Sequence, residues 1–388
     1  MKRIAIVLPS MACAGAEVLM AAHAMALADL GHKVALVYFQ KHYPSWANFP
    51  DKEKLLSTIK FVELDCSVKF RFLRKPVFNH RAWIDFMDAF KPDIVHSNLY
   101  LSELLVHSYL KKGVKYVSHG HDNMPQLRRF GMRTLFNKTL LTNWWERRWL
   151  MKQYKISKTH FIAISKDVED YVKENCPSLR GSITRVPNAI DRKRFWVQRD
   201  YTKPKPIFKM LSVGSLVPKK NHEYLIGVAR ILKSKGYIFE VNVLGDGPLM
   251  DELVRKTEEA GCADRLFFRG SVPDVPRWMA ESDLYVHPAN YEPFGLVLIE
   301  AMTSGMPVVS LDGRGNRGLV EDGITGYFLS IDTPQEGFAN RVEEFMLDRG
   351  KLEKMGLAAQ QFSGEFDIQT YCKRVLKLYI NGANEEHF

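Results

Sequence analysis

Residues 290–302 read NYEPFGLVLIEAM, an apolar run holding two carboxylates eight positions apart, Glu292 and Glu300, with Pro293 and Gly295 between them. Pro293 and Gly295 oppose a helix where they stand, so Glu292 is predicted in a loop and Glu300 one to two turns inside the helix that follows. Carboxylates at such a junction accept hydrogen bonds from the hydroxyls of a polyhydroxylated ligand, while free backbone N–H groups donate others. A simple first-turn acid, favoured by the helix dipole, explains Glu300 and leaves Glu292 unexplained.

Three further stretches carry chemistry. In SVGSLVPKKNHEYL, Lys219 and Lys220 precede a predicted helix, where cations oppose the macrodipole, so the pair either meets an anion or stays solvated. In VSHGHDNMP, His119 and His121 close a strand, either as ligand-facing groups or as imidazoles bonded to backbone. No third clustered ligand accompanies them, which argues against zinc. Gly15 in PSMACAGAE either lets the backbone approach a phosphate or sugar closely or serves an ordinary turn, and the glycines of LGDGP (244–248) permit similar close approach. The loop after the first strand holds no Gly-x-Gly-x-x-Gly, which counts against a dinucleotide-binding oxidoreductase.

All these residues follow short β-rich runs that alternate with helical ones. RIAIVL, KVALVYF, DIVHSN, KYVSHG and HFIAIS punctuate the first half, and FKMLSVGS, FEVNVLGDG, LFFRG, LYVHP and PVVSL restart the pattern in the second. The alternation predicts α/β units in which parallel strands are joined by right-handed crossovers. In such doubly wound sheets ligands bind beyond the carboxyl ends of the strands, where these residues stand. The stretch RKRFWVQRDYTKPKP (192–206) lacks either period and holds two prolines, so it reads as a linker between a domain over 1–191 and another over 207–365. IQTYCKRVLKLYING, within 366–388, reads as a final helix able to pack on either domain.

A chain of 388 residues, 46% hydrophobic and 12% aromatic, fits two cores and leaves no low-complexity tract to suggest disorder. Five scattered cysteines form neither a disulfide framework nor a paired zinc pattern and fit a reducing compartment. The opening MKRIAIVLPSMACAGAE resembles a signal peptide, but its apolar run is short and leads straight into a helical pattern, so it reads as a first strand. No stretch is long enough to predict a membrane-spanning helix. Charge is uneven: residues 1–195 hold 32 Lys and Arg against 17 Asp and Glu, +15, and the remainder 23 against 27, −4. The basic balance is not accompanied by any RNA- or DNA-binding motif, so nucleic acid is not the expected partner. KFRFLRK (69–75) and RRFGMRTLFNKTLLTNWWERRWLMKQ (128–153) interleave aromatics with cations, as segments at a membrane interface do. Arg71, Arg74, Lys75, Arg128, Arg129 and Arg133 are the expected contacts to an anionic membrane surface; the alternative packs the tryptophans in a core and leaves the charges solvated.

EPFGLVLIEAMTSGMPVV resembles the glutamate-x7-glutamate signature of family 4 glycosyltransferases, with their usual glycine and Pro-Val behind it. AGAE (14–17), His121, AISKDV (163–168), VPNAID (186–191), Lys220 after SVG, LGDGP and EDGITG (321–326) follow the family's order over nearly the whole chain. The resemblance implies an α/β GT-B fold: two Rossmann-like doubly wound parallel-sheet domains with an interdomain cleft, and a C-terminal helix returning to the first. It implies that Glu300 binds the ribose of a nucleotide sugar. Glu292 would lie beside the transferred sugar, with the amides of Phe294, Gly295 and Leu296 near its hydroxyls or the phosphates. Lys220 would neutralise the leaving diphosphate, His121 would contact the donor sugar near the reacting carbon, and Gly15 would line the diphosphate or acceptor side. Two positions depart from the family pattern. Ser215 stands in the donor site where an arginine is usual, which Arg314 or Arg317 of GRGNRG would have to replace, and Gly318 stands where a glutamate is frequent. The GRGNRGLVEDG form is similar to that of capsule and exopolysaccharide transferases.

The resemblance thus implies a transferase that moves a sugar from a UDP- or GDP-linked donor to a glycan or lipid-linked acceptor with retention of anomeric configuration. It needs no metal and no cofactor beyond the nucleotide-sugar co-substrate; no metal-binding Asp-x-Asp is present in the sequence. Its expected place is the cytoplasm, free or peripheral on the inner face of the membrane. A nucleotide-sugar epimerase of the same architecture and a non-catalytic nucleotide-sugar-binding protein are the competing readings.

Overall fold

A computed structural model describes residues 1–11, 14–39, 49, 51–131, 136–202 and 206–381. Cys13 and Arg133 lie outside the described residues; Cys66, Cys176, Cys262 and Cys372 are buried free thiols. The chain divides into two units, Met1–Ala189 with Ile368–Phe388, and Ile190–Asp367.

The first unit is built on strands β1 (Arg3–Val7), β2 (Lys33–Tyr38), β3 (Lys60–Glu63), a separate antiparallel hairpin β4 (Ser67–Lys69) and β5 (Val77–Asn79), then β6 (Ile94–Asn98), β7 (Lys115–Gly120), β8 (His160–Ala163) and β9 (Ile183–Arg185). Seven of them form a parallel sheet in the order β3-β2-β1-β6-β7-β8-β9. Apolar runs form these strands because both faces of the sheet are covered. Side chains alternate across a strand, so Ile4 and Ile6 of β1 enter one core while Ala5 and Val7 enter the core on the opposite face. β1 pairs with both β2 and β6, so strand order reverses beside β1, and the loops after β1 and β6 flank the switch point.

The helix Ile368–Asn381 belongs to this first unit. Ile368, Tyr371, Cys372, Val375 and Tyr379 form one helical stripe buried in the same core as Ile4 and Ile6.

The second unit carries β10 (Phe208–Val213), β11 (Phe239–Leu244), β12 (Leu266–Phe268), β13 (Leu284–His287), β14 (Val308–Leu311) and β15 (Gly326–Leu329) in the order β12-β11-β10-β13-β14-β15. Its switch point lies between β10 and β13. Here the structure differs from the linker read at 192–206. Arg192–Phe195 is a short helix with Phe195 buried, and Arg199 donates from Nε to the Ser304 carbonyl at 2.6 Å and from Nη2 to the Met279 carbonyl at 2.5 Å. Tyr201 donates its hydroxyl to the Gly305 carbonyl at 2.6 Å. The segment lacks a period because its side chains are fixed singly, by distant carbonyls.

Candidate active site

The loop leaving β10 runs through Gly214 and Ser215 into a short 3-10 turn, Pro218–Lys220, and Asn221 ends that turn at φ +53° before the helix Glu223–Ser234. The two lysines precede the helix, as the sequence suggested, and stand in a turn of their own. Lys219 faces outward, its ammonium 5.7 Å from the centre of the Tyr291 ring. Lys220 turns inward, and its Nζ lies 2.5 Å from Oε2 of Glu292. The anion that this cation meets is a carboxylate of the protein itself.

Glu292 stands in the loop after β13, as the flanking Pro293 and Gly295 predicted, and is buried. Its N–H donates to the Gly313 carbonyl at 2.8 Å, and a Cβ on Gly315 would collide with the carbonyls of Glu292 and Pro293, so the GRG segment is glycine-rich because it lies directly on this loop. Nε2 of His287, the last residue of β13, is 3.2 Å from Oε2 of Glu292, off the line of a good hydrogen bond. Burial pushes the Glu292 carboxyl up, but the His287 imidazole and the Lys220 ammonium outweigh it and hold it at about 2. His222, beside Lys220, is pushed down to about 3 by burial, reinforced by His287 and Lys220.

Gly295 adopts φ +108° and begins the helix Leu296–Thr303 with no side-chain cap. The helix start thus offers backbone N–H groups and positive dipole to an anion or a hydroxyl oxygen. Phe294 is buried against Phe366, ring centres 6.1 Å apart, which leaves its amide rather than its ring for a ligand. Glu300 lies on the second turn. It is only half-buried by its own surface, yet the protein surrounds it densely enough that burial pushes its carboxyl up to about 7, against the pull of Arg194. Arg194 comes from the segment read as a linker.

Ser215 is exposed at the strand end. A Cβ on Gly245 of LGDGP would collide with the Gly214 carbonyl, so that glycine fixes the loop carrying Ser215 through backbone contact. Of the two candidate replacements for the usual arginine, Arg317 grips Asp312, Nη2 to Oδ2 2.8 Å, whereas exposed Arg314 has its backbone bridged to Glu292. Gly318 sits at φ +82°, a conformation that explains the loss of a side chain there.

In the first unit Gly15 is the first residue of the helix Gly15–Asp29, which also lacks a side-chain cap. His119 ends β7 within one strand residue and His121 follows it; both are buried, with ring centres 4.1 Å apart. Among the described residues neither imidazole is bonded to backbone. His121 Nε2 is 2.9 Å from Asn98 Oδ1, His119 Nδ1 is 3.2 Å from His96 Nε2, and His96 Nδ1 is 2.6 Å from the Tyr379 hydroxyl. Burial pushes His121 down to about 3 and His96 and His119 well below the usual imidazole range.

The two aromatic and basic segments meet. Phe72 of the hairpin loop packs on Trp144 and Trp145 at 6.4 and 6.1 Å, Phe70 on Trp149 at 5.4 Å, and Phe130 on Trp144 at 5.4 Å. Trp145 Nε1 donates to the Arg74 carbonyl at 3.0 Å. The tryptophans are half-buried, while Arg71, Arg74, Lys75, Arg128 and Arg129 are exposed. No helix among the described residues is long and apolar enough to cross a membrane.

Asn98, His96, His222, His287 and Arg194 were missed in the sequence. The signal for three of them was present: polar residues at or near strand ends, in DIVHSN and LYVHP, of the kind that singled out His119 and His121.

Comparison with known proteins gives the same assignment as the motifs. Residues 14–194 match the model of Glycosyltransferase Family 4 and residues 196–362 that of Glycosyl transferases group 1. The alpha-D-kanosaminyltransferase of Streptomyces kanamyceticus is 32% identical over 149 residues, 38% of this chain and 38% of that protein. The lipopolysaccharide core biosynthesis glycosyltransferase LpsE of Rhizobium meliloti is 32% identical over 168 residues, 42% of this chain and 48% of that protein. The matches thus span less than half the length of these curated relatives. HepE of Anabaena, solved in complex with UDP-glucose, superposes with a TM-score of 0.75 at 21% identity over 97% of this chain and 99% of that one, and the shared fold is GT-B. The two family models account for both units in turn, and the chain belongs to the family 4 glycosyltransferases.

Proposed function

We propose that the protein transfers a sugar from a nucleotide-sugar donor to a glycan or lipid-linked acceptor, with retention of anomeric configuration, in the biosynthesis of a surface polysaccharide. The observation that carries this reading is the buried pair of Lys220 and Glu292 at the switch point of the second sheet, with Glu300 one helix turn beyond an uncapped helix start. Breaking an anomeric bond to a diphosphate leaves negative charge on the nucleotide and positive character on the sugar. Lys220 and the amides of Phe294, Gly295 and Leu296 supply preorganised stabilisation for the first, with Ser215 near the phosphates, and no metal is required. Within the second unit Glu292 stands by the transferred sugar and Glu300 accepts hydrogen bonds from the ribose hydroxyls; His121 is the sugar-contacting residue proposed in the first unit. The complex of HepE with UDP-glucose and the polysaccharide role in the name of LpsE support a UDP-linked donor and a saccharide acceptor.

The acceptor side is proposed to work in the cytoplasm against the inner face of the membrane. The joined aromatic and basic surface supports this, because half-buried tryptophans sit among exposed arginines and a lysine, with Leu73 70% and Phe136 87% exposed nearby. Aromatics at headgroup depth and cations against anionic lipid are complementary to such a surface.

The test is a melting screen of UDP- and GDP-linked sugars, in which a true donor raises the melting temperature by mass action. Mass spectrometry of the best donor with and without a saccharide acceptor follows. Transfer only with acceptor is expected; conversion of donor alone would make the protein an epimerase.

A further inference from the structure

Asn98 is buried at the end of β6, facing His121, and its amide orientation is settled by its neighbours. Its Nδ2 lies 3.1 Å from the His96 carbonyl oxygen and 3.4 Å from the Val7 carbonyl oxygen. The reversed amide would point an oxygen at two oxygens, so Nδ2 donates to both carbonyls and Oδ1 is left facing His121. Oδ1 can only accept, and Nε2 of His121 lies 2.9 Å from it. Nε2 therefore carries the proton. Burial keeps the ring neutral by pushing its pKa down to about 3, so the other nitrogen, Nδ1, holds a lone pair. That Nδ1 is buried and has no hydrogen-bond partner among the described residues. A buried acceptor without a donor is costly in a folded protein, and a bound ligand or an ordered water satisfies it. Just beyond Asn98 the backbone leaves the strand through Leu99 at φ +65°, ψ +152°, a region that residues with side chains rarely hold and that the surrounding structure must enforce.

We infer that Asn98 is a positioning residue that fixes His121 as the Nε2–H tautomer and so presents Nδ1 as a hydrogen-bond acceptor to a hydroxyl of the transferred sugar. The choice of ligand rests on the functional reading above; the tautomer does not. Asn98 touches no substrate in this scheme. It acts by deciding which ring nitrogen is bare, so that His121 accepts from the sugar and neither donates a proton to it nor repels its developing positive character.

The experiment is nitrogen NMR of the full chain labelled at histidine, first unliganded. The expected spectrum shows the His121 resonance with Nε2 protonated and Nδ1 bare, and a protonated Nδ1 overturns the inference. Asn98→Leu, which removes the acceptor, is expected to yield a mixture of tautomers, whereas Asn98→Asp, which keeps an oxygen opposite Nε2, retains the tautomer and raises the pH at which the ring takes its second proton. Unchanged tautomers in a folded Asn98→Leu protein would show that Asn98 does not set them. The nucleotide sugar that most raises the melting temperature is then added, with its bare nucleoside diphosphate as control. The Nδ1 resonance should move with the sugar nucleotide and stay put with the diphosphate; equal movement, or none at saturation, overturns the assignment of the ligand. In turnover assays Asn98→Leu should lower kcat about tenfold or more with little change in donor KM, and a loss confined to KM would contradict the role. If no nucleotide sugar binds at all, the functional reading fails while the unliganded spectrum still decides the tautomer.

Discussion

Lys220 and Glu292, 72 positions apart in sequence, are paired in the second unit with the ammonium 2.5 Å from the carboxylate, and both side chains are largely buried. The cation proposed to receive the leaving diphosphate is thus held in place by an acid proposed to stand beside the sugar. Removing one partner of such a pair strands the other as an uncompensated buried charge. Lys220→Ala should lower turnover about a hundredfold or more, the cost of about 2.7–4 kcal/mol seen for loss of one preorganised contact. It should also lower stability, which the double variant Lys220→Ala, Glu292→Gln should recover without recovering activity. Near-wild-type turnover in the single variant would sink the assignment of Lys220.

Glu300 leads to a prediction about protons. Its carboxyl is raised from 4.5 to about 7 by burial, so at neutral pH a substantial fraction is protonated in the free protein. Ribose hydroxyls donate to the ionised form and favour it, so donor binding near pH 7 should release protons, and affinity should rise with pH through that range. The folded protein holds this proton where the unfolded chain has lost it, between pH 4.5 and about 7, so stability from this group falls as pH rises through that window. Glu300→Gln should therefore weaken donor binding yet stabilise the free protein above pH 7. Titration calorimetry in buffers of different ionisation enthalpy measures the first; a pH-independent binding enthalpy with no buffer dependence would contradict it.

The imidazoles of the first unit make a prediction of opposite sign. His23 and His121 are pushed by burial from 6.5 to about 3. The unfolded chain takes up these protons near pH 6.5 and the folded one does not, so their stabilisation is complete above pH 6.5 and is lost as pH falls towards 3. Each contributes at most about 1.4 kcal/mol per pH unit. Glu17 and Glu103, raised by burial from 4.5 to about 7, act in the opposite direction above pH 4.5, so the total slope is a difference. The clean measurement is His23→Leu: between pH 6.5 and 4.5 the urea midpoint of the variant should fall less steeply, by about one proton. Parallel slopes would mean that His23 titrates normally.

Binding to vesicles tests the aromatic and basic surface. The wild-type chain should bind vesicles containing anionic lipid, ignore zwitterionic ones, and be released by salt, since each exposed cation contributes on the order of 1 kcal/mol, screened within about a Debye length. Replacing Arg71, Arg74 and Lys75, or Arg128 and Arg129, with Glu should abolish binding while leaving transfer to a soluble acceptor intact. A wild-type protein that floats free of anionic vesicles at low salt would point to a soluble acceptor instead.

What could be read in the sequence was local. The strands and their order of helices follow from periodicity, and Glu292 and Glu300 stood out because two acids in an apolar run, split by Pro293 and Gly295, have few ordinary explanations. What stayed hidden was long-range pairing. Nothing near the lysines in sequence shows that Asn221 ends a separate turn before the helix or that Glu292 closes the charge. Residues 192–206 read as a linker because Arg199 and Tyr201 are held by the carbonyls of Ser304 and Gly305, about a hundred positions away. His96 looked like an ordinary strand residue, and its partner Tyr379 is 283 positions off.

The position of Ile368–Asn381 in the first unit makes that unit discontinuous along the chain, with the whole second unit inserted between its two parts. During synthesis the first sheet emerges early but lacks Tyr371 and Tyr379, so one face of its core and the polar ends of His96 and His23 stay open until the last helix arrives. The unit made first is therefore finished last. A nascent chain stalled before residue 368 should expose that face to chaperones, because the helix that covers it is encoded after the whole second unit.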